Sequence, residues 1–444
     1  MNTPICDFVQ QYTEKNSLRF HMPGHKGTAF LGMEPLDITE IKGADSLYEA
    51  DGIILQSEEN ASRLFGCHTF YSTEGSSQCI RAMLYLALLH AKQNRKPPLI
   101  AAGRNAHKTF LTAAALLDLD VAWLQPLSAS YLSCAVDAAY LEHFFQTSAE
   151  KPAAVYLTNP DYLGNLIDIT GIARVCHKHE ALLLIDNAHG AYLRFLPASL
   201  HPIDLGADLC CSSAHKTLPV LTGGAYLHLS RSFPNTLVRQ TKNALALFGS
   251  TSPSYLILQS LDAANAYLDA YPQKLRQFLS LTETLKSHLT THGYVLYGNE
   301  PLKLTLYTKP YGYTGLELSH YLSLHNIVCE FADPDYLVLM LTPELGAQGL
   351  DKLEKVLLAA PRRKTIDTNP PAFHAVEKVM SIREAALSVS ETLPISDSYG
   401  RILASATVGC PPAVPILVCG ERIDSHTLTC FRYYGIDHCT VVCE

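Results

Sequence analysis

An α/β fold on a mainly parallel sheet, followed by a smaller α/β domain and a C-terminal domain, is the class this sequence predicts. Two patterns carry the prediction. From residue 70 to residue 230, short apolar runs alternate with helical stretches. The strands expected are Pro98–Ala102, Val121–Gln125, Ala153–Thr158, Leu182–Asp186, Leu209–Ser212 and Gly224–Leu229, with helices such as Ser77–Lys92 and Ile169–His179 between them. Nearly continuous apolar strands spaced by helices are what a parallel sheet covered on both faces requires. After Gly293 the pattern changes to strands at Tyr294–Tyr297, Leu302–Tyr307, Val328–Phe331 and Tyr336–Leu341, with helices at Leu316–His325 and Leu350–Ala359.

Two helical stretches, Pro253–Leu268 and Lys274–His292, join these parts. Pro361–Pro371, rich in proline and charge, reads as a linker. Phe373–Glu444 has one clear helix and a remainder rich in Pro, Gly and Cys. The expected division is residues 1–273 for an N-terminal arm with the large domain, 274–360 for the small domain, and 361–444 for the linker and C-terminal domain.

Composition narrows the function classes. The chain has 444 residues, 48% hydrophobic and 17% charged, with a formal net charge of −8, which places it among ordinary globular proteins. No Lys/Arg run or basic stripe stands out, so nucleic acid is not an expected partner. The first residues lack the basic start and apolar core of an export signal, and apolar stretches such as Met83–Leu89 and Ala113–Leu119 are too short to cross a bilayer. A cytoplasmic protein without membrane contact is expected. Thirteen scattered cysteines, with no CxxC pair and no zinc-like His/Cys spacing, read as reduced and mostly buried thiols, with no metal site.

The chemistry should sit beyond the carboxyl ends of the strands, where ligands of such sheets bind. Leu182-Leu-Leu-Ile-Asp-Asn-Ala-His-Gly190 ends a buried strand in Asp186, followed by Ala188 and His189. A later strand ends in Cys211-Ser-Ser-Ala-His-Lys216. Alone, Asp186 reads as a helix N-cap and Lys216 as a solvated loop lysine. Together they are the pair that pyridoxal 5'-phosphate needs: the amine joins the aldehyde as a Schiff base, and the carboxylate keeps the ring nitrogen protonated. Tyr71-Ser-Thr-Glu-Gly-Ser-Ser77 opens the helix running to Lys92, and small residues such as Gly75, Ser76 and Ser77 at a helix start can cradle a phosphate. Plain capping by either serine is the competing reading. Ser213 and His215 are further phosphate candidates. Gly103-Arg-Asn-Ala-His-Lys108 places His107 after a strand, where an imidazole either stacks on the cofactor ring or merely caps the next helix. His21 and His25 lie in a turn-rich arm before the sheet.

These segments together resemble the ornithine/lysine/arginine decarboxylases, pyridoxal-phosphate enzymes of the aspartate-aminotransferase fold (fold type I), and are closest to the family's short members. Phe20-His-Met-Pro-Gly-His-Lys26 resembles the family's opening signature and Asp37-Ile-Thr-Glu40 its continuation. Arg104–Lys108 is similar to the segment that supplies the ring-stacking histidine, here His107. Asp186-Asn-Ala-His189 resembles the pyridinium-binding stretch, and Ser213-Ala-His-Lys216 the Ser-Thr-His-Lys whose serine and histidine touch phosphate. Ser250-Thr-Ser-Pro-Ser-Tyr255 is similar to the segment that reaches the partner subunit's phosphate, which implicates Thr251 and Ser252. Pro411–Glu421 resembles the C-terminal Pro-Pro-Gly-Ile-Pro signature, with Ala413-Val414 in place of Gly-Ile. Glu74 departs from the family's cradle, where asparagine is common, and brings a carboxylate to the expected phosphate site.

The resemblance implies decarboxylation of a basic amino acid, arginine favoured over lysine and ornithine, by a homodimer with shared sites, larger assemblies being left open. It implies Lys216 or a histidine such as His215 as the acid that reprotonates Cα. It also implies Glu330, in Ile327-Val-Cys-Glu330, as the anion for the distal cation, with Asp333 and Asp335 as rivals and a solvated strand-edge carboxylate as the plain alternative. Two other readings differ in class: another fold type I enzyme, an aminotransferase or a lyase, and a non-catalytic paralogue. An aminotransferase usually needs an arginine clamp that the sequence does not place, and retention of Lys216, Asp186 and His107 argues against loss of catalysis.

Overall fold

The strand carrying Asp186 is apolar along its whole length, and in the computed structural model every residue of Leu182–Asp186 is buried. The structure describes residues 1–126, 131–405, 408–410 and 414–443. They form two compact units, Met1–Arg95 with Leu182–Leu275, and Lys96–Ala181 with Arg276–Glu444.

In the first unit, four strands lie in the order His68–Ser72, Ala225–Leu229, Leu209–Ser212, Leu182–Asp186. The last two run parallel, with Asp186 opposite Cys211, and the other two pairings are antiparallel. Helix Gly75–Gln93 packs on these strands through Cys79, Met83, Leu86 and neighbouring buried residues. Cys210 and Cys211 are both fully buried, so both faces of their strand are covered. The strand His68–Ser72, which sequence reasoning missed, blunts its own outer edge. Its Tyr71 N–H donates to Glu58 Oε1 (2.9 Å) and its Thr69 N–H to Ser62 Oγ (2.9 Å), so the ladder groups an edge strand would expose are satisfied by a neighbouring helix.

In the second unit, Ala154–Thr158, Leu99–Gly103 and Asp120–Leu124 run parallel in that order. A separate antiparallel sheet has the order Phe331–Ala332, Tyr336–Met340, Lys303–Tyr307, Val295–Tyr297. The strand expected at Val328–Phe331 begins only at Phe331, so Glu330 stands in the bend before it. Towards the C-terminus, Ser390–Pro394 pairs with His438–Val442 over a core of Leu403, Ile416, Ile423, Phe431 and Val441. Two helices, Ile382–Leu387 and Ser425–Tyr433, replace the one expected.

The two helices expected at Pro253–Leu268 and Lys274–His292 are one, Tyr255–His292, with Pro272 inside it. Proline costs a helix one hydrogen bond and a clash with the preceding turn. Here Leu258, Leu261, Leu268, Tyr271, Leu275, Phe278, Leu285 and Leu289 are buried on either side of Pro272, and that burial outweighs the local cost. Among the described residues, no helix is long and apolar enough to cross a membrane.

Candidate active site

Asp186 is 2% exposed at the carboxyl end of its strand. Its Oδ1 accepts from the Ala188 N–H (3.2 Å) and from the Cys211 thiol (3.6 Å). Burial and the nearby Asp186 charge push that thiol well above its ordinary range, so it keeps the proton it donates to the carboxylate. The turn after Asp186 is fixed by Asn187, whose N–H donates to Cys211 O (2.9 Å) and whose amide donates to Ser212 Oγ (3.0 Å). Gly190 follows for steric reasons: a Cβ there would lie 2.0 Å from Asn187 Oδ1. Asn187 was not singled out from the sequence; its position directly after a strand-end aspartate was the available signal.

Lys216 lies on the short helix Ala214–Thr217 that leaves the neighbouring strand. Its Nζ is 2.9 Å from His189 Nε2. His189 is itself buried. His215 is fixed at one ring nitrogen: its Nδ1 is 3.0 Å from Gly224 O. A carbonyl can only accept, so Nδ1 carries a proton there. Asp186, Ala188, His189, Ser213, His215 and Lys216 thus all arise from two adjacent parallel strands and the turns that follow them.

The cradle segment is built within the same unit. Ser72 Oγ donates to Gln78 Oε1 (2.6 Å) and lies 3.0 Å from Gly75 O, while the Glu74 N–H donates to Ser72 Oγ (3.1 Å). Gly75 adopts φ +70°, a conformation side chains rarely take, and a Cβ built there would meet nothing within 4 Å. Its N–H is committed to Gly223 O (2.7 Å), and Ser76 and Ser77 follow it in the helix's first turn. Glu74 holds the N-cap position without capping its helix; its carboxylate instead accepts the Ser250 N–H. Thr251 and Ser252, next in that segment, are exposed.

The remaining candidates belong to the second unit. His107 is the N-cap of helix Lys108–Leu117, with Nδ1 accepting from the Thr109 N–H (3.2 Å). The capping reading is therefore realised through the ring's Nδ1 edge. Arg104, in the same segment, is buried and pairs with Glu421 (2.8 Å), and also donates to Pro415 O and Ile416 O. It anchors the C-terminal signature segment, a role no local pattern announced. Of that signature, Pro411, Pro412 and Ala413 lie outside the described residues.

The three acidic candidates separate clearly. Asp335 is buried against Lys309 Nζ (2.6 Å) and Tyr433 OH (2.8 Å). Asp333, also buried, turns back on its own loop and accepts from the N–H groups of Asp335 (2.7 Å) and Tyr336 (2.6 Å), while burial pushes its carboxyl up to about 6. Glu330 alone is exposed, with Oε1 accepting from Tyr162 OH (3.0 Å).

A buried strand-end carboxylate, an amine from the adjacent strand and a glycine that opens space at a helix start fit pyridoxal phosphate. Among the described residues, no three His, Cys, Asp or Glu side chains form a metal-holding group.

The family described as Orn/Lys/Arg decarboxylase, major domain, matches residues 3–296, and its C-terminal domain matches residues 371–437. The uncharacterized protein YaaO of Bacillus subtilis is 31% identical over 96% of this chain and 93% of its own. An arginine decarboxylase of Halalkalibacterium halodurans is 27% identical over 97% of this chain and 93% of its own. Among solved structures, the Francisella novicida lysine decarboxylase LdcF superposes with a TM-score of 0.80 at 17% identity, covering 99% of this chain and 81% of that one. The fold class expected from the sequence is thereby borne out.

Proposed function

The chain belongs to the Orn/Lys/Arg decarboxylase family, and from that premise we propose that it uses pyridoxal phosphate, carried on Lys216, to decarboxylate arginine in preference to lysine or ornithine. That it is a basic amino-acid decarboxylase follows from the family itself. The observation that carries the cofactor reading is the placement of Asp186 and Lys216 at the carboxyl ends of adjacent parallel strands.

When bound, the cofactor supplies the electron sink for the pair left behind as carbon dioxide departs. The protein's residues do the rest. Lys216 would hold the cofactor through its amine and would return a proton to Cα. His189, within hydrogen-bond reach of the Lys216 amine, orients that amine. His215 is the alternative acid and, with Ser213, Ser76 and Ser77, a donor to phosphate. Asp186 would hold a proton on the ring nitrogen. His107 would stack on the cofactor ring, and Glu330 would bind the distal cation. Thr251 and Ser252 serve the partner's phosphate in a homodimer with shared sites. Full activity in a chain that sediments as a monomer would refute that last reading.

Substrate choice is checked by measuring carbon dioxide release from arginine, lysine and ornithine with the purified, cofactor-loaded protein. The expected result is the highest kcat/KM for arginine, with stoichiometric agmatine. Release from none of the three would overturn the proposal, and preference for lysine or ornithine would overturn its substrate.

A further inference from the structure

The loop after the Ala154–Thr158 strand, Asn159-Pro-Asp-Tyr-Leu-Gly-Asn165, is unusually well fastened. Asp161 accepts from the Asn165 N–H (2.8 Å) and the Asn165 amide (2.7 Å). The Ile167 N–H donates to Asn159 Oδ1 (2.8 Å), and the Leu166 N–H to Asn299 Oδ1 (2.9 Å). Lys303, 4% exposed, donates to the carbonyls of Asp161 (3.0 Å) and Tyr162 (3.1 Å). Its ammonium also lies 5.5 Å from the centre of the Tyr162 ring. The Tyr162 ring meets Phe331 edge-on at 5.3 Å. Held from both sides, it directs its hydroxyl to Glu330 Oε1.

This contact ties the bend before the small sheet to a strand's carboxyl end, the end at which ligands of such sheets bind. The donor chosen is also informative. A lysine in its place would cancel the carboxylate's charge, whereas a phenol fixes one oxygen and leaves the negative charge to act on something else. Burial, and then the facing Glu330 charge, push the Tyr162 phenol above its ordinary range, so at neutral pH the hydroxyl keeps its proton and donates.

We propose that Tyr162 is a positioning residue for substrate specificity, holding the Glu330 carboxylate in the orientation that receives the distal cation of a basic amino acid. The inference rests on the assignment of Glu330 to the substrate, and the test separates the two.

Tyr162→Phe keeps the ring and its packing but removes the donor. It should raise KM for the preferred basic amino acid about five- to tenfold, the usual net size of one lost hydrogen bond, since the carboxylate it orients remains. The kcat should stay within about twofold, because the contact is made equally in ground and transition states. Inhibition by norleucine, which lacks the cation, should be unchanged. Glu330→Gln should raise KM on the order of 30-fold or more, and adding Tyr162→Phe to it should cost little further, since the two act as one unit. If Glu330→Gln raises KM but Tyr162→Phe does not, or if its penalty persists in full beside Glu330→Gln, the positioning role is overturned while the Glu330 assignment stands. Loss of norleucine binding in parallel would also overturn it, by showing a distorted pocket. Unchanged KM in Glu330→Gln would remove Glu330 from the site, and this inference with it.

Discussion

Lys216→Ala is expected to abolish turnover and the absorbance of the bound cofactor while leaving the fold in place. Lys216 sits on a one-turn helix at a strand end, and its amine lies 2.9 Å from His189. Truncation removes the nucleophile and the proton carrier together and disturbs no apolar core. Losing a covalent catalyst of this kind lowers rates by at least about 10⁴-fold. Thermal melting and carbon dioxide release measured on the same preparation check it: a folded, colourless, inactive protein is expected. Activity near that of the parent chain would exclude Lys216 from the chemistry.

Asp186→Asn should leave the cofactor bound but slow decarboxylation by on the order of 10²-fold or more, as loss of one charge-stabilising contact does. An asparagine can keep the acceptor oxygen that Ala188 and Cys211 use, so the turn should survive. What it cannot do is hold a proton on the ring nitrogen, and without that charge the electron pair left by carbon dioxide has a poorer destination. The measurement is kcat for the preferred substrate, with cofactor occupancy checked by absorbance. A rate within about threefold of the parent, at full occupancy, would reject the assignment.

Much of the candidate site was legible in one dimension because its residues lie at strand ends. An apolar run that stops at Asp186, and another that stops shortly before Lys216, announce both their depth and their position. The strand His68–Ser72 was not legible. It is short and mixed in polarity, and its edge is satisfied by Glu58 and Ser62 from a helix earlier in the chain. Pro272 gave a false break, since propensity could not reveal how deeply the residues around it are buried.

The surroundings that set Glu330 apart from Asp333 and Asp335 were likewise closed to sequence, which favoured Glu330 by resemblance alone. Three carboxylates within six positions look alike until distant partners are known. Lys309 and Tyr433 claim Asp335, and the backbone of the turn claims Asp333. Arg104 and Glu421 illustrate the same limit: two charges more than 300 positions apart form a buried pair that no local motif records. Tyr162 escaped for a related reason, because its partner Glu330 lies 168 positions away.

The most direct test of the central claim is borohydride reduction of the cofactor-loaded protein followed by peptide mapping. Reduction fixes the cofactor to the amine that carries it. A single pyridoxyl-bearing peptide with the label on Lys216 is expected, and substrate added before reduction should diminish it. A label on a different lysine, or none on a protein that still releases carbon dioxide from a basic amino acid, would contradict the assignment.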